Sequence, residues 1–177
     1  MRKRILIVLV LFQVIIVTGQ TSLKEINLKN GAYNVGFKHY VAIDSTRTYR
    51  KHNEFNNEFI NRPIPISIWY PATSKNNSSE QLTVLDYLEI LKEEEEWKNL
   101  PNEFLLDWFP DLRNTPENRA HLSEEATAFL NSTPLNEKFP IVVYAPSYQA
   151  SSIENFALFE YLASNGFVVI SSPSRGT

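Results

Sequence analysis

The sequence predicts an α/β fold, a mainly parallel sheet with flanking helices, and three observations carry that expectation. Phe139-Pro-Ile-Val-Val-Tyr-Ala145 is an unbroken apolar, β-branched run of the kind that forms a strand buried on both faces. Ser151 to Asn165 places Ile153, Phe156, Ala157 and Leu162 along one buried helical face, opens on the capping box Ser151-Ser-Ile-Glu154 and stops at Asn165-Gly166. Phe167-Val-Val-Ile-Ser-Ser172 is a second apolar run, so strand, helix and strand follow one another as a right-handed crossover between parallel strands.

The elements before this unit follow from pattern and composition. A chain of 177 residues, 43% apolar and 21% charged, has the make-up of one folded domain. Its first residues depart from that average. Met1-Arg-Lys-Arg4 is basic, Ile5 to Val17 is apolar except for Gln13, and Val17-Thr18-Gly19 is a small-residue exit. This predicts a secretory signal peptide over 1–19, a mature portion over 20–177 and a secreted or periplasmic location. The apolar core falls short of the roughly 20 residues a spanning helix needs, so no stable membrane span is expected after cleavage. Losing Arg2, Lys3 and Arg4 takes the basic count from 17 to 14 against 20 acidic residues, a formal charge of −6 that excludes a nucleic-acid partner. With no cysteine, the chain has no disulfide, no lipid-modified cysteine and no thiolate metal site.

Tyr33 to Ile43 alternates, with Val35, Phe37, His39, Val41 and Ile43 on one parity, and reads as an edge strand followed by a turn at Asp44-Ser-Thr-Arg47. Arg50 to Arg62 is polar and reads as a surface loop, and Ile64 to Pro71 as a second strand closed by proline. Val84, Leu85, Leu88 and Leu91 predict a helix over 81–97, whose run Glu93 to Glu96 is a solvated face, with Glu94 an i,i+4 partner for Lys98. Leu100 to Arg113 suggests short helix and turn, and Thr115-Pro116-Glu117 starts a helix expected to end by Asn131. The stretch of about 72–138 is much longer than an ordinary connection and is expected to decorate the sheet as an insertion.

Three stretches in one order carry a family resemblance: Gly31-Ala-Tyr33 with Val35-Gly-Phe37, Arg62-Pro-Ile-Pro-Ile-Ser-Ile-Trp-Tyr-Pro71, and Phe139 to Ser147 with Tyr161-Leu-Ala-Ser-Asn-Gly-Phe-Val-Val169. The chain resembles the secreted platelet-activating-factor acetylhydrolases and their dienelactone-hydrolase relatives over Gly31 to Thr177. The resemblance implies the amino-terminal half of an α/β-hydrolase fold, cut before the nucleophile elbow. It also implies a serine esterase with neither metal nor organic cofactor. Its sheet order places the third predicted strand, Phe139 to Ala145, between the fourth and a fifth that this chain does not reach. An uncharged apolar strand would then form an open edge, and residues 20–177 alone are expected to aggregate or stay partly molten.

In an open α/β sheet, ligands bind beyond the carboxyl ends of the strands, here at Ala145 to Gln149 and Ser171 to Arg175. The family's loop after the third strand gives a backbone N–H to the oxyanion hole, and a gapless alignment puts Tyr148 at that position. The family's glycines are absent from Pro146-Ser147-Tyr148-Gln149, and a loop that only shapes the pocket is the other reading of Tyr148. Ser147, Gln149 and Arg175 are candidate substrate contacts on the same loops, Arg175 being better suited to anchoring its own loop. Ser147 fails as a nucleophile on two counts. Gln149 is not small, and His39, His52 and His121 all precede it, whereas in this fold the acid and histidine follow the serine. The three histidines share no metal-ligand spacing and read as structural or solvated.

No Gly-x-Ser-x-Gly occurs in the chain. The expected function is therefore that of the amino-terminal part of a secreted serine ester hydrolase. Its substrate is a small-molecule or lipid ester with a short acyl group, phospholipids included, cleaved through an acyl-enzyme by a triad lying outside the chain. The alternative is a non-catalytic exported protein, a degenerate hydrolase or a pseudogene product.

Overall fold

A computed structural model describes residues 22–50, 59–73, 80–94, 99–108, 114–148 and 150–174. The expected signal peptide over 1–19, Gln149 and Arg175 lie outside them.

Strands β1 (Asn34–Arg50) and β2 (Phe59–Ala72) pair antiparallel from Asn34 opposite Ala72 to Arg50 opposite Phe59. Alternation puts Val35, Phe37, Trp69 and Pro71 on a fully buried face. The ladder slips between Asp44 and Thr48, where the Thr46 N–H and hydroxyl both donate to Asp44 Oδ1, at 2.9 and 2.6 Å. The turn chemistry read at Asp44 to Arg47 thus makes an irregularity inside a long strand, and both strands reach into the stretch expected to be loop.

After β3 (Gln81–Thr83), helix α1 (Val84–Glu94) starts on a capping box in which Asp86 accepts from the Thr83 N–H and hydroxyl, each at 2.7 Å. Short helices α2 (Glu103–Trp108) and α3 (Pro116–His121) follow, with Thr115 capping α3 through the Asn118 N–H at 3.2 Å. The helix expected to end by Asn131 already stops at His121, and Glu125 to Leu130 forms strand β4. Buried Ala128 lies opposite Val35 there, and Asn131, at a φ of 52°, turns the chain out of the sheet. Thus 72–138 contributes strands as well as helices.

The carboxyl-terminal unit is β5 (Ile141–Tyr144), α4 (Phe156–Ser164) and β6 (Val168–Ser171), with β5 and β6 parallel. Helix α4 begins later than its sequence suggests. Asn155 is its N-cap, and the Ser151 hydroxyl is engaged with Glu94 rather than with a box at Glu154. It ends as expected at Gly166, whose φ of 89° suits a residue without a Cβ.

The sheet order is β3-β4-β1-β2-β6-β5. Three of its pairings are antiparallel and two parallel, so the sheet is mixed rather than mainly parallel. The α1 and α4 side holds the core. Phe37, Trp69, Tyr87 and Phe159 meet at ring-centroid distances of 4.8 to 6.1 Å. The opposite face is partly filled by Tyr70, whose ring lies across Gly36, where a Cβ would approach it to 2.4 Å. Farther along that face, on β5, Ile141 and Val143 are 63% and 76% exposed.

Candidate functional site

The strand register lines up four side chains on the helix-bearing face: His39 of β1 opposite Ser67 of β2, Ser67 opposite Ser171 of β6, and Ser171 opposite Tyr144 of β5. The neighbouring row, Phe37, Trp69, Val169 and Val142, is apolar. The polar row therefore marks the level at which the core ends and the carboxyl ends of β5 and β6 open into loops, the place where such sheets bind ligands. The turns before α4 sit against this row. Asn155 Nδ2 donates to the Tyr144 hydroxyl at 2.7 Å, and the Ser67 and Ser152 hydroxyls are 2.7 Å apart.

The two loops beyond the row touch. The Ala150 N–H donates to the Ser147 carbonyl at 3.0 Å, and the Ser174 N–H to the Ala150 carbonyl at 3.2 Å. Ser147 is exposed, and Tyr148 is exposed to 77% of its surface. The Tyr148 N–H donates to no group among the described residues. Ser147 and Tyr148 thus stand together on the exposed loop beyond β5, while Gln149 and Arg175 lie outside the described residues.

Sequence reasoning missed a polar chain that starts in the row. His39 Nδ1 lies 2.9 Å from the Ser67 hydroxyl. Ser67 meets Ser152, and the Ser152 hydroxyl donates to Glu94 Oε1 at 2.5 Å. The Ser151 hydroxyl and the Ser152 N–H both donate to Glu94 Oε2, at 2.6 and 3.2 Å. Glu94, read as a solvated residue of a charge run, is instead the anchor of the turn that leads into α4. Burial pushes the His39 imidazole below its ordinary value, against the Glu94 and Glu93 carboxylates, which pull it up. Ser67 is 0% exposed, so its contact with a histidine does not make it a nucleophile that a substrate can reach. Ser171 Oγ, in the same row and 1% exposed, is the buried side-chain polar atom without a partner among the described residues.

A cavity of about 640 Å³ lies elsewhere, between the Leu23 to Asn30 segment and Ala126, Thr127, Ala157 and Glu160. Two of its three carboxylates are committed to the fold. Glu124 accepts from Ser22, Leu23 and His121. Glu160 accepts from Tyr87 and from the Thr127 and Ala128 N–H groups, each at 2.9 Å. These last two donors sit where β3 and β4 slip in register. These two carboxylates are not offered to a ligand, the third, Glu125, is exposed, and the exposed loops at the carboxyl ends of β5 and β6 are the better candidate. Among the described residues no helix is long and apolar enough to cross a membrane, and no group of three acidic or histidine side chains is placed to hold a metal ion.

No protein-family model matches the chain, and no curated protein matches it. Among solved structures, it is similar to a ferulic acid esterase from Streptomyces cinnamoneus, with a TM-score of 0.53 and 19% identity over 85% of this chain. The chain spans 37% of that esterase's length, and the likeness is one of fold, here a mixed α/β sheet flanked by helices.

Proposed function

We propose that this chain is the amino-terminal part of a secreted serine ester hydrolase that cleaves a short acyl ester through an acyl-enzyme, as the platelet-activating-factor acetylhydrolases do. The observation that carries the reading is the exposed loop at the carboxyl end of β5, where among the described residues the Tyr148 N–H has no acceptor beside the exposed Ser147. A free backbone donor at that place is what an oxyanion of a tetrahedral intermediate requires. Similarity to an esterase at 37% of that protein's length supports the same reading. In it, the nucleophile, acid and histidine belong to sequence beyond Thr177.

One observation favours the non-catalytic alternative. The described histidines bond to Ser67, which is buried, and to Glu124, so no exposed serine is paired with a base among the described residues. Hydrolysis of 4-nitrophenyl acetate, and its loss on treatment with a fluorophosphonate, separates the two readings when measured on the product of the gene's whole reading frame.

A further inference from the structure

The polar chain has a direction. A carboxylate offers only lone pairs, so Ser152 spends its one hydroxyl proton on Glu94. The contact between Ser67 and Ser152 must then be Ser67 donating, which spends the only proton that Ser67 has. What Ser67 has left for His39 is a lone pair, so His39 Nδ1 carries the proton. In the neutral ring Nε2 is then bare. Nε2 has no hydrogen-bond partner among the described residues and is not among their buried unpaired atoms, and the ring is only part-buried, so its lone pair faces outward.

We propose that His39 is a preset proton-accepting residue at the β1 end of the polar row, its Nε2 offered to the hydroxyl of an alcohol or phenol, with Glu94, Ser152 and Ser67 as the positioning residues that fix its tautomer. Two hydroxyls here do what a directly bonded carboxylate does for the histidine of a triad: they hold the ring and set which nitrogen is basic. The charged groups acting on the ring, Glu93 and Glu94 at the end of α1, are both negative and favour the imidazolium formed when a proton is taken up. On β1 itself, neighbouring Lys38 and Tyr40 point to the other face, the Lys38 ammonium lying 5.8 Å from the Tyr40 ring centre. The inference concerns this chain's own residues and stands whether or not an acyl-enzyme forms.

The test is nitrogen NMR of the imidazoles in the product of the gene's whole reading frame, the His39 signals identified by their loss in His39→Gln. His39 is expected in the Nδ1–H tautomer, and Ser67→Ala, or Ser152→Ala if the first fails to fold, is expected to release it into a mixture of tautomers. Phenol, added as the hydroxyl probe, is expected to move the His39 Nε2 signal saturably, and by less than half as much in the serine variant. His121, held by Glu124, should not respond. An Nε2–H tautomer in the parent, an unchanged tautomer in the serine variant, or a His39 signal indifferent to phenol would each overturn the proposal.

Discussion

Glu160 is 3% exposed and still carries a carboxyl group, so its cost of burial has to be met by donors. The Tyr87 hydroxyl and two backbone N–H groups of β4 supply them, and the Tyr87 oxygen in turn accepts from Trp69 Nε1 at 2.9 Å. Replacing it by leucine strands three donors at once, the buried Tyr87 hydroxyl and Ala128 N–H and the part-buried Thr127 N–H, a buried one being worth about 1–3 kcal/mol when orphaned. Glu160→Leu is therefore expected to lower the unfolding free energy by at least about 2 kcal/mol in urea titrations. A loss within about 0.5 kcal/mol, the scale of a neutral surface change, would show that the carboxylate does not organise β4. His39 makes its contribution through pH. Because burial holds its folded-state pKa below 6.5, its share of stability is present above pH 6.5 and is lost as pH falls through the folded value. Burial raises Glu160 instead, so its share is present below pH 4.5 and is lost as pH rises through its own folded value, a slope of opposite sign. The urea midpoint of the parent is expected to fall more steeply below pH 6.5 than that of His39→Gln; parallel curves would contradict the assignment.

At the scale of elements, what was legible in the sequence is what local chemistry decides. The run from Phe139 to Ala145 contains β5, and Gly166 ends α4 because its left-handed conformation follows from residue type alone. Thr115-Pro116 starts α3 for the same reason, but Ala126 and Ala128 look equally at home in a helix, and only pairing with Val35, 93 positions away, makes them strand. The polar chain was hidden more deeply, since Ser67 lies 28 positions from His39 and 85 from Ser152. One signal was available. His39 shares parity with Val35 and Phe37, and a histidine on the buried face of a strand calls for a partner. The edge strand carries its own prediction. Strand β5 closes the sheet order, bears no charge, and exposes Ile141 and Val143, the pattern that recruits other chains. The chain is expected to self-associate with rising concentration in sedimentation velocity, and Val143→Lys to raise the monomer fraction at equal concentration. A parent that stays monomeric across the range would contradict this.

At the scale of the molecule, one side of the sheet is a finished core, with the aromatic rings of β1, β2, α1 and α4 in mutual contact, and the other leaves apolar side chains of β5 in solvent. The finished side carries the row from Tyr144 to His39 and the loops that open above it, so the part of the molecule that packs best also holds the candidate site still. A scaffold of this form, matched over 37% of an esterase's length, carries Ser147 and Tyr148 on an exposed loop and has no exposed serine paired with a base among its described residues. The most direct measurement is labelling of the full reading-frame product with a fluorophosphonate, the modified serine located by peptide mass and 4-nitrophenyl acetate hydrolysis followed alongside. The account predicts one labelled serine beyond Thr177, with hydrolysis abolished in step with labelling. Hydrolysis with no labelled serine, or a product that neither reacts with the fluorophosphonate nor hydrolyses the ester, would contradict it.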